Sequence, residues 1–501
     1  METYHLWIGG TWTDAKDGGR REIINPATGE TIARVAEATQ DDVHRAVETA
    51  REAFERGIWS NATPGERAGV LLKAADLLEA RAEAFARLET EQSGKPIKLS
   101  TYSDLPTGID NIRFFAGLAR NIEGKAAAEY LPGYTSMIRR EPVGVIAQIT
   151  PWNYPLMMAI WKVIPAIAAG NSVVIKPAPN TPLTTLKFAE LLKEAGLPDG
   201  VVNVVTGEGA TVGAWLTEHP HVDMISFTGS TATGAKIMQA ASGTLKRLHL
   251  ELGGKAPFIV FDDADVEAAV QGAVVGAFAN SGQDCTAATR FYIQRNIFDR
   301  FLAQFVEATQ RLRVGPTSEW TTDMGPVVSE QHRERVEGYI ERARKAGATV
   351  VLGGRRPTEG PLSRGSYVMP TILTNLTDDS EACQREIFGP VVVVMPFDEE
   401  DEVLQRANGV VYGLAASVWT REHRRALRFA KALRFGTVWI NEHLPLASEM
   451  PHGGFKQSGF GKDLSTYALD DYTVVKHVMS DISGEAVKPW HFAVFGDVPQ
   501  A

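Results

Sequence analysis

Two periodicities of apolar and polar residues alternate along this chain. Between residues 40 and 92, "QDDVHRAVETAREAF" and "ERAGVLLKAADLLEARAEAFARLETEQ" place apolar side chains three and four positions apart, the spacing of amphipathic helices. Another helix is predicted over roughly 104–120. From 143 the texture changes. "VGVIAQIT" (143–150) is an apolar run of strand length, followed by "LMMAIWKVIPAIAAG" (156–170), a run too short and too interrupted by Lys162 and Pro165 to cross a bilayer and therefore predicted as a buried helix. "SVVIKP" (172–177) predicts a strand, and "TPLTTLKFAELLKEAG" a helix capped by Thr181 and stopped at Gly196. "VVNVVTG" and "VDMISFTGS" continue the series. A second set begins at "APFIVFDDAD" (256–265), with strands at "TRFYIQ", "TVVLGG", "VVVVMPFD" and "LAASVWT". Strands alternating with helices of ten or more residues predict parallel, doubly wound sheets. Two α/β units in series are expected, each turning its strand carboxyl ends, and so its ligand sites, toward a crevice.

Bulk composition narrows the function classes. A chain of 501 residues exceeds one ordinary core, and no fixed-period repeat or low-complexity segment breaks it up. A formal net charge of −10 argues against a nucleic-acid or anionic-membrane partner. Two cysteines cannot frame a chain of this size, and no CxxC spacing indicates a metal centre. The start "METYHLWIGG" lacks the basic and apolar regions of a secretory signal. A reducing, cytoplasmic setting with no metal is expected.

Five stretches could carry chemistry. In "ISFTGSTATG" (225–234) a strand runs into Gly229 and a helix begins near Ser230, a turn that aims backbone N–H groups at a phosphate or is simply a tight connection; the GxGxxG fingerprint is absent. "LELGGKAPFIV" (250–260) sets Glu251 among apolar residues beside a Gly-Gly, so it is either a surface glutamate or a half-buried general base of raised pKa. "TPWNYPLM" (150–157) brackets Asn153 between prolines, to donate a hydrogen bond or to close an Asx turn. "IKPAPNTP" (175–182) ends a strand on Lys176, where a ribose or phosphate could receive it. "NSGQDCTAATR" (280–290) holds Cys285 among small and polar residues, an inert buried thiol or a nucleophile. Together, a thiol, a carboxylate, an amide donor and a dinucleotide-type turn suit one reaction. A thiolate adds to an aldehyde, donors hold the oxyanion, hydride leaves for nicotinamide, and water hydrolyses the thioester.

Seven motifs, "PWNYP", "KPAP", "FTGS", "LELGGKAP", "GQDCTAATR", "EIFGPV" and "PHGGFKQSG", occur in the order and spacing of the aldehyde dehydrogenase superfamily, which the chain resembles from about residue 5 to 480. The resemblance implies an α/β fold with a Rossmann-like NAD-binding domain (1–123 and 146–253), an α/β catalytic domain (254–446), a small β oligomerisation arm with bridging segments (124–145 and 447–483), and a C-terminal extension (484–501). It implies Cys285 as nucleophile, Glu251 as base, and Asn153 with the Cys285 N–H as oxyanion hole. Lys176 and Glu386 would hold ribose hydroxyls, Phe388 would pack near the nicotinamide, and Gly229 and Ser230 would meet the pyrophosphate. Ile149, Thr150, Trp152, Ala178, Pro179, Gly209, Phe227, Thr233 and Leu252 would complete the cofactor wall. Cys383 matches no family role and is expected to be structural.

Three departures bear on specificity. Many NAD-preferring members carry a glutamate where this chain has Pro179; NAD is expected, with NADP possible. "GQDCTAATR" and the segment from "SEMPHGG" to "VVKHVM" look most like the bacterial γ-aminobutyraldehyde dehydrogenases, so an ω-aminoaldehyde is the expected substrate, with Asp104, Asp110, Tyr154, Trp161 and Glu449 as candidates around its ammonium. Betaine aldehyde is the nearest alternative, then plain aliphatic or aromatic aldehydes, then an inactive relative. His452 stands where several betaine-type members carry Trp. "YTSMIRREPVGV" and "DYTVVKHVM" match segments that pair subunits in the family, implying a homodimer or tetramer. Trp490, Phe492, Val494 and Phe495 make the extension apolar enough to dock.

Overall fold

A computed structural model describes residues 2–495; residues 496–501 of the extension lie outside the described residues. The first large sheet has eight strands, and five parallel ones form its centre, in the order Arg247–Glu251, Met224–Thr228, Val145–Ile149, Ser172–Lys176 and Val202–Val204. Val145–Ile149 and Ser172–Lys176 are buried along their whole length, as expected for parallel strands covered on both faces. Antiparallel strands close the edges, Gly459–Phe460 on one side and Leu6–Ile8 with Thr11–Thr13 on the other.

From Val145–Ile149 the chain winds one way through Ser172–Lys176 and Val202–Val204. It then returns to the other side for Met224–Thr228 and Arg247–Glu251. The loops after Ile149 and Thr228 therefore flank a topological switch point, where open α/β sheets bind ligands. Between the sheets' elements, the helix Pro155–Ala168 is buried from Met158 to its end, which accounts for the longest apolar run.

The second sheet has seven strands, in the order Thr349–Leu352, Thr371–Thr374, Val391–Phe397, Ala288–Gln294, Ala256–Val260, Ala415–Trp419 and Thr437–Ile440, with only the first antiparallel to its neighbour. Its orientation differs from the sequence expectation. The chain passes from the carboxyl end of Arg247–Glu251 through Leu252–Lys255 straight into the amino end of Ala256–Val260. Four residues cannot turn the chain back over a strand, so the second sheet presents strand amino ends to the crevice. Residues just ahead of Ala288 and Val391 arrive there.

A third, three-stranded sheet joins Ala127–Leu131, Tyr134–Pro142 and Thr473–Asp481, the last two paired over nine residues from Thr473↔Pro142 to Asp481↔Tyr134. The cap assigned to Thr181 is also corrected. The helix runs from Leu183 to Ala195, Pro182 takes the cap position without a side-chain bond, and the Thr181 hydroxyl has no partner. With Pro182 rather than Thr181 at the cap, the helix starts one residue later than the hydroxyl would start it. Gly196 does close it, in the left-handed conformation. Among the described residues, no helix is long and apolar enough to cross a membrane.

Candidate active site

A cavity of about 590 Å³ opens between the two sheets. The first sheet supplies Pro151–Tyr154, Thr228–Ser230 and Glu251–Gly253; the second supplies Asp284–Thr286, Glu386, Phe388 and Glu442–Leu446. The Gly-Gly after Glu251 lets the two halves meet. A Cβ on Gly253 would lie 2.4 Å from a Glu386 carboxylate oxygen, and one on Gly254 would lie 2.1 Å from the Cys285 carbonyl.

The Cys285 loop is held against strain. Asn280 and Ser281 both adopt left-handed backbone conformations, φ 50° and 59°, which cost about 1–2 kcal/mol each for residues with a Cβ. Four side-chain bonds hold them. Asn280 Nδ2 donates to Asn153 O (2.8 Å), Ser281 Oγ to Gly325 O (2.8 Å) and Gln283 Nε2 to Asn280 O (3.0 Å), while Gln283 Oε1 accepts from Val328 N (2.8 Å). Asn153 returns the contact, its Nδ2 donating to Gln283 O at 3.1 Å. Its second amide hydrogen makes no bond to the described residues, and its Oδ1 has no partner. The Asx-turn alternative does not apply.

Burial shifts both the Cys285 thiol and the Glu251 carboxyl toward their neutral forms. Burial above all, then the Asp284, Glu386 and Glu251 carboxylates, pushes the Cys285 thiol well above its ordinary value. Glu251 ends its strand, is 3% exposed, and neither carboxylate oxygen has a protein partner. Burial, then the charge of Asp463, raises its pKa well above the usual range. Both are conditions for a general base that works above acidic pH. Asp463 lines the same cavity and takes both oxygens to Lys162 Nζ, at 2.8 and 3.0 Å. Nearly full burial leaves this pair to stabilise each other.

The groove that continues along the first sheet's carboxyl ends fits a dinucleotide. Ser230 caps the helix Thr231–Ala241, its Oγ accepting from Thr233 N, so the helix amino end presents its remaining first-turn N–H groups, while the Gly229 N–H is taken by Glu251 O at 3.0 Å. The buried hydroxyls of Thr150 and Thr228 have no partners of their own. Lys176 Nζ donates to Pro177 O (2.8 Å) and Gly207 O (3.2 Å), and burial pushes its pKa down to about 8. Glu386 accepts from Gly254 N at 2.8 Å and is pushed up to about 7 by burial. The Phe388 ring stands edge-on to Trp152, centroids 5.2 Å apart.

The comparisons with known proteins meet this geometry. The model of the aldehyde dehydrogenase family matches residues 12–478. The chain belongs to the aldehyde dehydrogenase family. Betaine aldehyde dehydrogenase of Bacillus subtilis (strain 168) is 44% identical over 482 residues, 96% of this chain and 98% of the relative. The crystal structure of betaine aldehyde dehydrogenase from Staphylococcus aureus in complex with NAD+ superposes with a TM-score of 0.95 at 41% identity, over 97% of this chain and 96% of that one. The NAD+ complex of an aldehyde dehydrogenase from Bacillus cereus gives a TM-score of 0.94 at 43% identity, over 96% and 97%.

In this aldehyde dehydrogenase, the cavity collects Trp152, Asn153, Tyr154, Trp161, Gly229, Ser230, Glu251, Leu252, Cys285, Glu386 and Phe388. Ile149, Thr150, Ala178, Phe227 and Lys176 are buried at the adjoining strand ends, and Pro179, Gly209 and Thr233 are more open. Three substrate candidates fall elsewhere. Asp104 is 2% exposed and ion-paired to Lys95, Asp110 accepts from Ser448 in a separate pocket, and Glu449 is exposed outside the cavity. The segment turns Leu99, Ser103 and Thr107 to the cavity, and that helical face excludes both aspartates.

Other polar groups line the cavity too: Asp284, Arg335, Glu442, His443 and Asp463 were not singled out from the sequence, although Asp284 sits directly before the cysteine, and His452, noted there only as standing where betaine-type members carry Trp, joins them. Asp284 accepts from the Tyr154 hydroxyl (2.8 Å) and from Thr286 N (2.7 Å). Lys95 Nζ lies 3.9 Å from the centre of the Tyr154 ring, so the buried Lys95–Asp104 pair acts on the cavity through that tyrosine. Outside the cavity, sequence spacing also gave no sign that His44, Glu48 and His219 bring ligand atoms within 4.8 Å of one another. His219 Nδ1 accepts from His221 N, which leaves its protonated Nε2 facing His44 Nδ1 at 3.0 Å, and the pair closes on itself without a metal.

Proposed function

We propose that this aldehyde dehydrogenase uses NAD to oxidise a small aldehyde carrying a cationic nitrogen to its carboxylic acid. The observation that carries the cation is Asp284. Its carboxylate stands in the cavity wall next to Cys285, with Glu442 also in that wall and the rings of Tyr154 and Trp161 for cation–π contact. The S. aureus and B. cereus complexes with NAD+ support NAD. Pro179 offers neither a carboxylate for a ribose 2′-hydroxyl nor a cation for a 2′-phosphate, so some use of NADP is expected.

The chain's own groups perform four tasks. Cys285 Sγ loses its proton to solvent and, as the thiolate, adds to the carbonyl carbon, whose π electron pair moves to the oxygen. The oxygen that becomes negative is met by the free Asn153 amide hydrogen and the Cys285 N–H, a donor set worth about 3–4 kcal/mol per group in such sites. A bound nicotinamide dinucleotide supplies the two-electron acceptor that leaves a thioester on Cys285. Glu251 then takes a proton from a water as its oxygen attacks the thioester, and the sulfur leaves as the acid forms.

The relatives named above lend their support to betaine aldehyde as substrate. A primary ω-ammonium, as in 4-aminobutyraldehyde, is the second reading. A trimethylammonium group has no N–H to donate and prefers an aromatic cage, whereas this wall has His452 beside Trp161 (centroids 5.4 Å apart) and two carboxylates. Initial rates of NADH formation with betaine aldehyde, 4-aminobutyraldehyde and hexanal decide the matter. Either cation is expected to exceed hexanal about a hundredfold in kcat/KM, equivalent to about 2.7 kcal/mol; a flat profile overturns the cation site. We also propose that the three-stranded sheet, with Tyr130, Val475 and Met479 exposed, pairs with a second copy of the chain, a reading that light-scattering mass tests directly.

A further inference from the structure

Phe388 is a bulky residue in a left-handed backbone conformation, φ 62°, which an L side chain enters only under outside constraint. The constraint comes from one helix. His332, in the first turn of Glu330–Lys345, puts its Nε2 2.6 Å from Phe388 O. A carbonyl only accepts, so the imidazole donates from Nε2. Burial favours that neutral form, pushing the His332 pKa down to about 4. Arg335, three residues on and so on the same helix face, donates from Nη2 to Glu386 O at 3.2 Å. Val336 closes over the next residue, since a Cβ on Gly389 would lie 2.7 Å from its Cγ2. One helix therefore meets Glu386, Phe388 and Gly389. The His332 ring also stands edge-on to Trp152 (5.0 Å, 64°) and to Phe388 (6.3 Å, 72°), closing a triangle with the Trp152–Phe388 pair. Trp152, Arg335, Glu386 and Phe388 line the cavity, and His332 is buried outside that lining.

For packing alone, an apolar side chain would fill the space beside Trp152 with no donor to satisfy. We propose that His332 is a positioning residue for the nicotinamide end of the cofactor, holding the Phe388 backbone so that its ring and the Glu386 carboxylate face the dinucleotide. The inference rests on the reading of NAD in the groove beside Glu386 and Phe388. These two residues are two apart in one loop, so a hold at the Phe388 carbonyl governs both the carboxylate expected at a ribose and the ring expected at the nicotinamide. Without the donor, Phe388 relaxes toward an ordinary conformation and turns its ring. The groove around Lys176 and Ser230 belongs to the other sheet and keeps its shape. His332 touches no reacting atom. Its loss should therefore leave Cys285 chemistry and most of the dinucleotide's affinity intact and act on hydride uptake.

His332→Leu, which keeps bulk beside Trp152 and loses the donor, tests this. Without cofactor, hydrogen–deuterium exchange of the peptide covering residues 384–391 should quicken about tenfold. The nitrophenolate burst from p-nitrophenyl acetate, which reports Cys285 alone, should stay within about twofold of the parent. With NAD and betaine aldehyde, kcat should fall about tenfold or more, and deuterium on the aldehyde's carbonyl carbon should slow the variant more than the parent. The NAD Kd from calorimetry should change less than about threefold. His332→Gln, whose amide N–H can reach the same carbonyl, should recover most of the lost kcat and exchange protection. Arg335→Ala, at an exposed guanidinium, should quicken exchange of the same peptide and serves if His332→Leu does not fold. Unchanged exchange or unchanged kcat in a folded variant overturns the hold. So does a Gln variant as impaired as the Leu variant, or a burst that falls as far as NADH formation. A parent that binds no NAD overturns the cofactor reading and the positioning role with it, even where exchange shows that His332 fixes the loop.

Discussion

Cys285 and Cys383 are both pushed above the ordinary thiol range, and burial is the leading cause for each. Their neighbours differ. Cys383 is enclosed in the second sheet's core, its sulfur 3.8 Å from Met395 Sδ, with Ile387, Val391 and Tyr412 in the same cluster. Cys285 faces a cavity with an amide donor, a free carboxylate and a cation-attracting wall. Thiol acidity at rest therefore does not separate the reactive cysteine from the inert one; access and the groups within reach do.

The comparison breaks most sharply at the sulfur. Cys285→Ala should lower turnover at least about ten-thousandfold while dinucleotide binding, followed by calorimetry, persists. Glu251→Gln should still acylate, giving a burst of NADH followed by turnover about 10²–10⁴-fold slower. Asn153→Ala should cost about 10²–10³ in kcat, with the rate of Cys285 alkylation by iodoacetamide changed far less. Cys383→Ala is the converse experiment. Activity should stay within about twofold, while urea unfolding shows a loss of about 1–3 kcal/mol from the emptied space. Mass mapping after iodoacetamide should find Cys285 modified, faster as pH rises through its raised pKa, and Cys383 untouched.

The smallest expected effect concerns the wall behind Cys285. His443 Nε2–H donates to Thr286 O (2.8 Å), its Nδ1 lies 3.0 Å from Ser417 Oγ, and burial lowers its pKa to about 4. An unfolded histidine takes its proton near pH 6.5. Between pH 6.5 and 4 the unfolded chain thus binds more protons than the folded one, and stability falls as pH drops through that window. His443→Asn should flatten this part of the urea-midpoint profile by up to about 3 kcal/mol; an unchanged slope would show that His443 is already charged when folded.

Much of this was legible in the chain. Runs such as Ser172–Lys176 are apolar because both faces are covered, and the turn at Gly229–Ser230 forms as its residues suggest. What escaped depended on contacts distant in sequence. Short strands such as Leu6–Ile8 and Thr11–Thr13 carry too few residues for a period to show. Asp104 and Asp110 have the charge for a cation site, yet packing turned Ser103 and Thr107 inward instead. Asp284 was in plain view beside the cysteine. Asp463 and His249 are polar residues whose meeting no spacing could announce, because a separate loop brings one to the other.

The strands Gly459–Phe460 and Thr473–Asp481, together with Asp463, come from the last tenth of the chain, and each completes something begun hundreds of residues earlier. During synthesis the first sheet's edge, the partner of Lys162 and the outer sheet must all wait until the ribosome has nearly finished. Until then Lys162 is a buried cation without its counter-ion, and Tyr134–Pro142 is an open edge. A nascent chain can assemble most of its two cores early, but it cannot become an enzyme until its final segment returns across both, which makes truncation near the carboxyl terminus a loss of function rather than a trimming of surface.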